Sequence, residues 1–135
     1  NMVIDINLLK RQGKTSEKFE FQFEIDKNLA LSPDYEFKNA VLKCEVELKE
    51  DYVVVFGEIS YTVLGNCVRC LEKTEKPVAV EFDEIFSERP MEDEYSYKSG
   101  RLDLGELIKD NVLFSQPTVI YCKDDCDALK NITVD

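Results

Sequence analysis

The chain contains no histidine. That absence removes the commonest general acid/base, the Ser-His and Cys-His nucleophile pairs, and every zinc site that uses an imidazole. Carboxylates or lysines could still catalyse, but the expectation is a non-enzymatic protein. Long apolar runs are missing too. No window approaches the roughly 18 consecutive apolar residues of a membrane span. The opening Met2-Val3-Ile4-Asp5-Ile6 lacks the basic flank and apolar core of a signal peptide. Asn1, ahead of Met2, reads as an added residue and is set aside. A chain without a leader is expected in the cytoplasm, where thiols stay reduced. Five cysteines, an odd number, fit that compartment better than a secreted disulfide scaffold.

Positive charge is scarce: 17 Lys and Arg stand against 28 Asp and Glu, for a net charge of −11. The deficit is uneven. Residues 1–50 hold 8 basic against 10 acidic side chains, whereas residues 51–135 hold 9 against 18. Phosphate backbones repel such a surface, so strong direct nucleic-acid binding is disfavoured and a basic partner is favoured.

What is present suits one domain over residues 2–135: 135 residues, 44% hydrophobic, can bury a real core. The spacing predicts a first strand over Val3–Asn7, then a turn-rich basic stretch, Lys10-Arg11-Gln12-Gly13-Lys14. Phe19, Phe21, Phe23 and Ile25 alternate with Lys18, Glu20, Gln22 and Glu24, the period of a half-buried strand. Leu42, Cys44, Val46 and Leu48 repeat the pattern. With Tyr52–Leu64 they read as a hairpin, in which Gly57 would mark a bulge or bend. Cys44 shares the apolar face and reads as a core residue. Another strand follows over Pro77–Phe86, with Val78, Val80 and Phe82 on one face. Residues 87–101 are polar, with Pro90 and Gly100, and read as a mobile acidic loop.

One helix is predicted, over residues 104–114, from the spacing of Leu104, Leu107, Ile108 and Val112. Asp103 and Glu106 would cap it, and Pro117 would end it before an extended piece, Thr118–Tyr121. The fold class is therefore mainly β (α+β): a twisted antiparallel sheet or partly open barrel with one helix in the C-terminal half.

Distinctive chemistry lies in the cysteines. Cys67-x-x-Cys70 falls in a turn between strands, where backbone amides can point at two thiolates sharing one ion. Cys122-x3-Cys126 is also within ligand spacing. Together the four would complete a closed, structural zinc site, with Arg69, Lys73 and Lys123 offsetting its negative charge. Reduced thiols without metal, or a redox pair, are the alternatives.

The segment Gly65-Asn66-Cys67-Val68-Arg69-Cys70-Leu71-Glu72 resembles the C-x-R-C-L signature of the YceD family of bacteria and plastids. Phe82-Asp83-Glu84-Ile85-Phe86 is similar to its F-x-E-x-F strand. Arg101-Leu102-Asp103-Leu104-Gly105-Glu106-Leu107 is similar to its helix start, and Gln116-Pro117 followed by Cys122 and Cys126 to its tail. The resemblance implies a role in making or retaining large-subunit ribosomal RNA, with a small basic ribosomal protein or a pre-ribosomal particle as partner. For such a partner the candidate surface is Glu81, Asp83, Glu84, Glu88, Glu92, Asp93 and Glu94, opposed within residues 81–94 only by Arg89. A second possibility is direct ribosomal RNA binding by a zinc knuckle presenting Arg69, with Lys10, Arg11 and Lys14 touching phosphates. A third, a carboxylate–metal hydrolase, requires acidic residues that converge on one cation.

Overall fold

Alternating side chains decide the architecture. The structure, a computed structural model, describes residues 2–122. Strand β2 (Ser16–Phe23) turns Phe19, Phe21 and Phe23 inward and Lys18, Glu20 and Gln22 outward. The same period runs through β3 (Glu36–Leu48), β4 (Val53–Asn66) and β5 (Lys73–Ser87), each paired antiparallel with the next. A short strand, β6 (Tyr95–Ser96), lies parallel to the end of β5, so the order is β2-β3-β4-β5-β6. The sheet is twisted and stays open rather than closing into a barrel. Pro77 sits on β5 opposite Thr62, within the stretch whose other edge carries no strand among the described residues, where its missing N–H costs no ladder bond.

A helix covers the inner face. In α2 (Gly105–Ser115), Leu107, Ile108 and Val112 are fully or almost fully buried, and Leu104 just ahead of it joins them. They pack in one core with Leu42, Val46, Val55, Ile59 and Val63 of the sheet. Each such side chain contributes roughly 1.5–3 kcal/mol on full burial. The Tyr61 hydroxyl, buried beneath the helix, pairs with Ser115 Oγ at 2.7 Å. No helix among the described residues is long and apolar enough to cross a membrane.

Several expectations need correction. The first strand, β1 (Val3–Asp5), stops two residues short of Asn7 and pairs with β7 (Arg101–Asp103). Asp5 Oδ1 accepts the Leu8 amide at 3.0 Å, and this cap turns the chain into a second helix, α1 (Ile6–Arg11), which buries Ile6 and Leu9. Lys10 and Arg11 are therefore helical. Strand β3 begins earlier than Leu42, because a register shift between Lys38 and Val41, with Asn39 at φ 58°, breaks the alternation there. Gly57 marks no bulge: it sits in regular register between Cys44 and Phe82. Its lack of a side chain permits close approach instead, since a Cβ would lie 2.0 Å from the Lys43 carbonyl oxygen. Residues 87–101 contain β6, a bridge from Lys98 to Arg101 and the buried Tyr97. At the start of α2, Asp103 Oδ1 accepts the Gly105 amide, but Leu104 holds the cap position without a side-chain bond, so no capping box forms. Residues 118–121, expected as an extended piece, bend at 118–119 and form no regular element.

Candidate metal centre and acidic cleft

The turn between β4 and β5 holds the first cysteine pair. The Cys67 amide donates to the Glu72 carbonyl and the Leu71 amide to the Cys67 carbonyl, both at 2.8 Å. Closing so tight a turn puts Leu71 at φ 66°, the left-handed conformation that favours glycine. The segment after α2 is stitched against this turn: the Val68 amide donates to the Ile120 carbonyl at 2.9 Å, and Ile120 is buried. Gly65 makes the fit possible, because a Cβ there would press on Ile120 and the Tyr35 ring at 3.0 Å. The Tyr35 hydroxyl in turn donates to the Pro117 carbonyl at 2.9 Å.

These contacts bring three of the four predicted ligands together. The sulfurs of Cys67, Cys70 and Cys122 lie within 4.8 Å of one another, and those of Cys70 and Cys122 are 3.6 Å apart. In a tetrahedral zinc–thiolate centre with bonds of about 2.3 Å, neighbouring sulfurs stand about 3.8 Å apart, so the spacing suits one ion. Cys67 is fully buried. The Cys70 amide, joined by those of Cys122 and Arg69 and by the Cys70 thiol, donates to its sulfur. Together they hold its pKa down to about 6 against the opposing pull of burial. A sulfur so solvated by amides is a ready anionic ligand. The Arg69 guanidinium lies 4.7 Å from the centroid of the Tyr121 ring, beside the cluster, and Lys73 opens β5 opposite Asn66. Cys126 and Lys123 fall outside the described residues. Cys44, expected in the core, is buried on β3 beside Gly57 and Phe19, and burial pushes its pKa up to about 11.

The acidic stretch divides, because β5 sends alternate residues to opposite faces. Glu81 and Asp83 point outward beside Lys43, Phe56 and Glu58. Glu84 points the other way. With Glu92, Asp93, Glu94, Tyr95, Glu106 and Asp110 it lines a cleft of about 520 Å³ that has no lysine or arginine among its described lining residues. Glu88 is exposed nearby in sequence but does not line it. Burial, and then the charges of Asp83, Asp93 and Asp110, raise the pKa of Glu84. The Tyr95 hydroxyl donates to Asp110 Oδ2 at 2.7 Å and its ring stacks on Phe86. The sequence pointed to Glu106 only as a helix cap and gave no sign of Asp110 or Tyr95 in the cleft, although Glu106 and Asp110, four apart, share a helix face. Among the described residues the one group of three or more ligating side chains close enough to share an ion is the cysteine cluster, and no three carboxylates gather in that way.

The predicted basic residues do not form one patch. Lys10 and Arg11 end α1, and Lys14 pairs with Glu17, next to the β3–β4 turn, where the Leu48 amide meets the Thr15 carbonyl. Arg69 lies past the other end of β4. The cleft is likewise remote from the cysteines. Glu84 lies eleven positions along β5 from Lys73, roughly 35 Å of extended strand.

Residues 55–133, more than half of the chain, match the family described as large ribosomal RNA subunit accumulation protein YceD. No curated protein and no solved structure matches significantly.

Proposed function

The chain belongs to the YceD family of large ribosomal RNA subunit accumulation proteins, and from that premise we propose a cytoplasmic, non-enzymatic factor that holds a basic ribosomal protein or pre-ribosomal particle. The observation that carries this reading is the cleft: six carboxylates from β5, the 92–94 turn and α2, with no cation among its lining residues. No ion pair among the described residues involves any of the six. Like charges crowded on a half-buried Glu84 make the cleft a receptor for Lys or Arg side chains, and the field around it speeds encounter. The cysteine cluster is assigned to a structural zinc that fixes the β4–β5 turn to the segment after α2. Cys126 is the proposed fourth ligand.

The test is co-sedimentation with large-subunit precursors at graded salt. Charge reversal of Glu92, Asp93 and Glu94 is expected to abolish binding, whereas reversal of Glu81 and Asp83, on the other face, leaves most of it. Equal binding by the two variants would refute the cleft as the receptor. The second reading, direct ribosomal RNA binding at the knuckle, draws on Arg69 and Tyr121 stacked beside the cysteines with Val68 and Leu71 exposed. It requires binding to naked ribosomal RNA at physiological salt that is lost on Arg69→Ala.

A further inference from the structure

The sequence pairs Cys67 with Cys70, and Cys122 with Cys126. The geometry adds a contact across the pairs: Cys70, which also touches the Cys67 sulfur, has its own sulfur 3.6 Å from that of Cys122, on a segment 52 residues away. We infer that Cys70 and Cys122 are a redox couple that peroxide converts to a disulfide, a covalent state that excludes the metal-bound one. The mutual exclusion rests on the metal reading above; the bond itself does not.

Access grades the three sulfurs. Cys67 is fully buried and ringed by backbone amides, Cys70 is half-buried, and Cys122 is exposed. A small oxidant therefore meets Cys122 first. The Cys122 thiolate attacks a peroxide oxygen and breaks the O–O bond, giving a sulfenic acid and an alkoxide or hydroxide that takes up a proton. The Cys70 thiolate then attacks the sulfenyl sulfur, forming the S–S bond and expelling hydroxide, which leaves as water. Two thiols are oxidised by two electrons and one peroxide is reduced. Cys70 is placed for the second step, because the Val68–Ile120 hydrogen bond already holds its turn against the segment that carries Cys122. Closure asks for an approach of roughly 1.5 Å to a bond of about 2.05 Å. Two of the three clustered sulfurs are then no longer donors, and an ion held there must leave.

The experiment treats the full chain, metal-free, with hydrogen peroxide and maps it by non-reducing peptide mass spectrometry with thiol titration. The expected result is loss of two of the five thiols and a Cys70–Cys122 linked peptide two hydrogens lighter than the sum of its parts. Linkage of Cys67 to Cys70 or of Cys122 to Cys126, or sulfinic acid without any linkage, overturns the inference. Cys67→Ser is expected to keep the disulfide while losing metal, and Cys70→Ser to lose both. The chain loaded with zinc alone is expected to oxidise more slowly than the metal-free chain and to release one zinc per disulfide to a chromogenic chelator. Oxidation at an unchanged rate with zinc retained overturns the exclusion. Untreated protein that binds no zinc but forms the bond refutes only the metal reading. A zinc-bound protein whose metal-free form makes no such bond refutes only the redox couple.

Discussion

The side-chain oxygen of Gln116 accepts the amide of Leu31 at 2.7 Å, across 85 positions of chain. The same side chain donates from Nε2 to the Leu29 carbonyl at 2.9 Å, so one buried amide satisfies both a donor and an acceptor of the 29–31 segment. This clamp sets the direction in which the chain leaves α2 toward the cysteines.

Gln116→Ala leaves both part-buried backbone groups without their side-chain partner. The expected cost is about 2–3 kcal/mol, read as a lower midpoint in urea unfolding with an unchanged slope. Zinc affinity is expected to fall with it, since Cys122 lies six residues beyond the clamp.

Leu71 holds φ 66° with a side chain that is 74% exposed, so it pays conformational strain without the gain of burial. Leu71→Gly is expected to stabilise the native state by about 0.5–1 kcal/mol. Leu71→Val, stiffer still in the left-handed region, is expected to destabilise by a similar amount. Thermal unfolding of the two variants beside the parent checks the sign.

Cys44 supplies a pH dependence at the alkaline end. Burial raises its folded pKa to about 11, above the ordinary thiol value of 9.0. The unfolded state therefore releases this proton first. The stabilising contribution is complete below about pH 9 and is lost as pH rises toward about 11. Cys44→Ala is expected to remove that part of the alkaline slope in urea unfolding. In the folded parent, iodoacetamide at pH 8 is expected to spare Cys44 until denaturant is added.

Glu84 supplies one at the acid end. Its folded pKa is raised, first by burial and then by Asp83, Asp93 and Asp110, so its neutral form favours the folded state. The benefit is full below the unfolded carboxylate pKa and disappears as pH rises through the folded value. At pH 7 its charge opposes folding, and Glu84→Gln is expected to raise the melting temperature by a few degrees. The increment is expected to vanish near pH 4, as scanning calorimetry across that range would reveal.

The sheet was legible because Phe19 to Phe23, Leu42 to Leu48 and Val78 to Phe82 alternate without interruption, and α2 because four apolar residues share one helical stripe. Helix α1 was not, since six residues give too few turns for a period to declare itself. Its one usable sign was Asp5, a cap residue directly before Ile6. The bulge at Asn39 hid the first half of β3 for a related reason: an inserted residue reverses the alternation on which the pattern depends. At the site, spacing could nominate Cys67, Cys70 and Cys122 but could not say that Cys70 meets Cys122. That contact depends on the path of residues 116–122. The acidic stretch misled in another way. Neighbours in sequence such as Asp83 and Glu84 face opposite sides of β5, while the carboxylates that complete the cleft come from α2.

Strand β5 sets the cysteine turn and the carboxylate cleft at its two ends. The two ends can therefore be occupied at once without crowding, since bodies seated on them would stand roughly 35 Å apart along the strand.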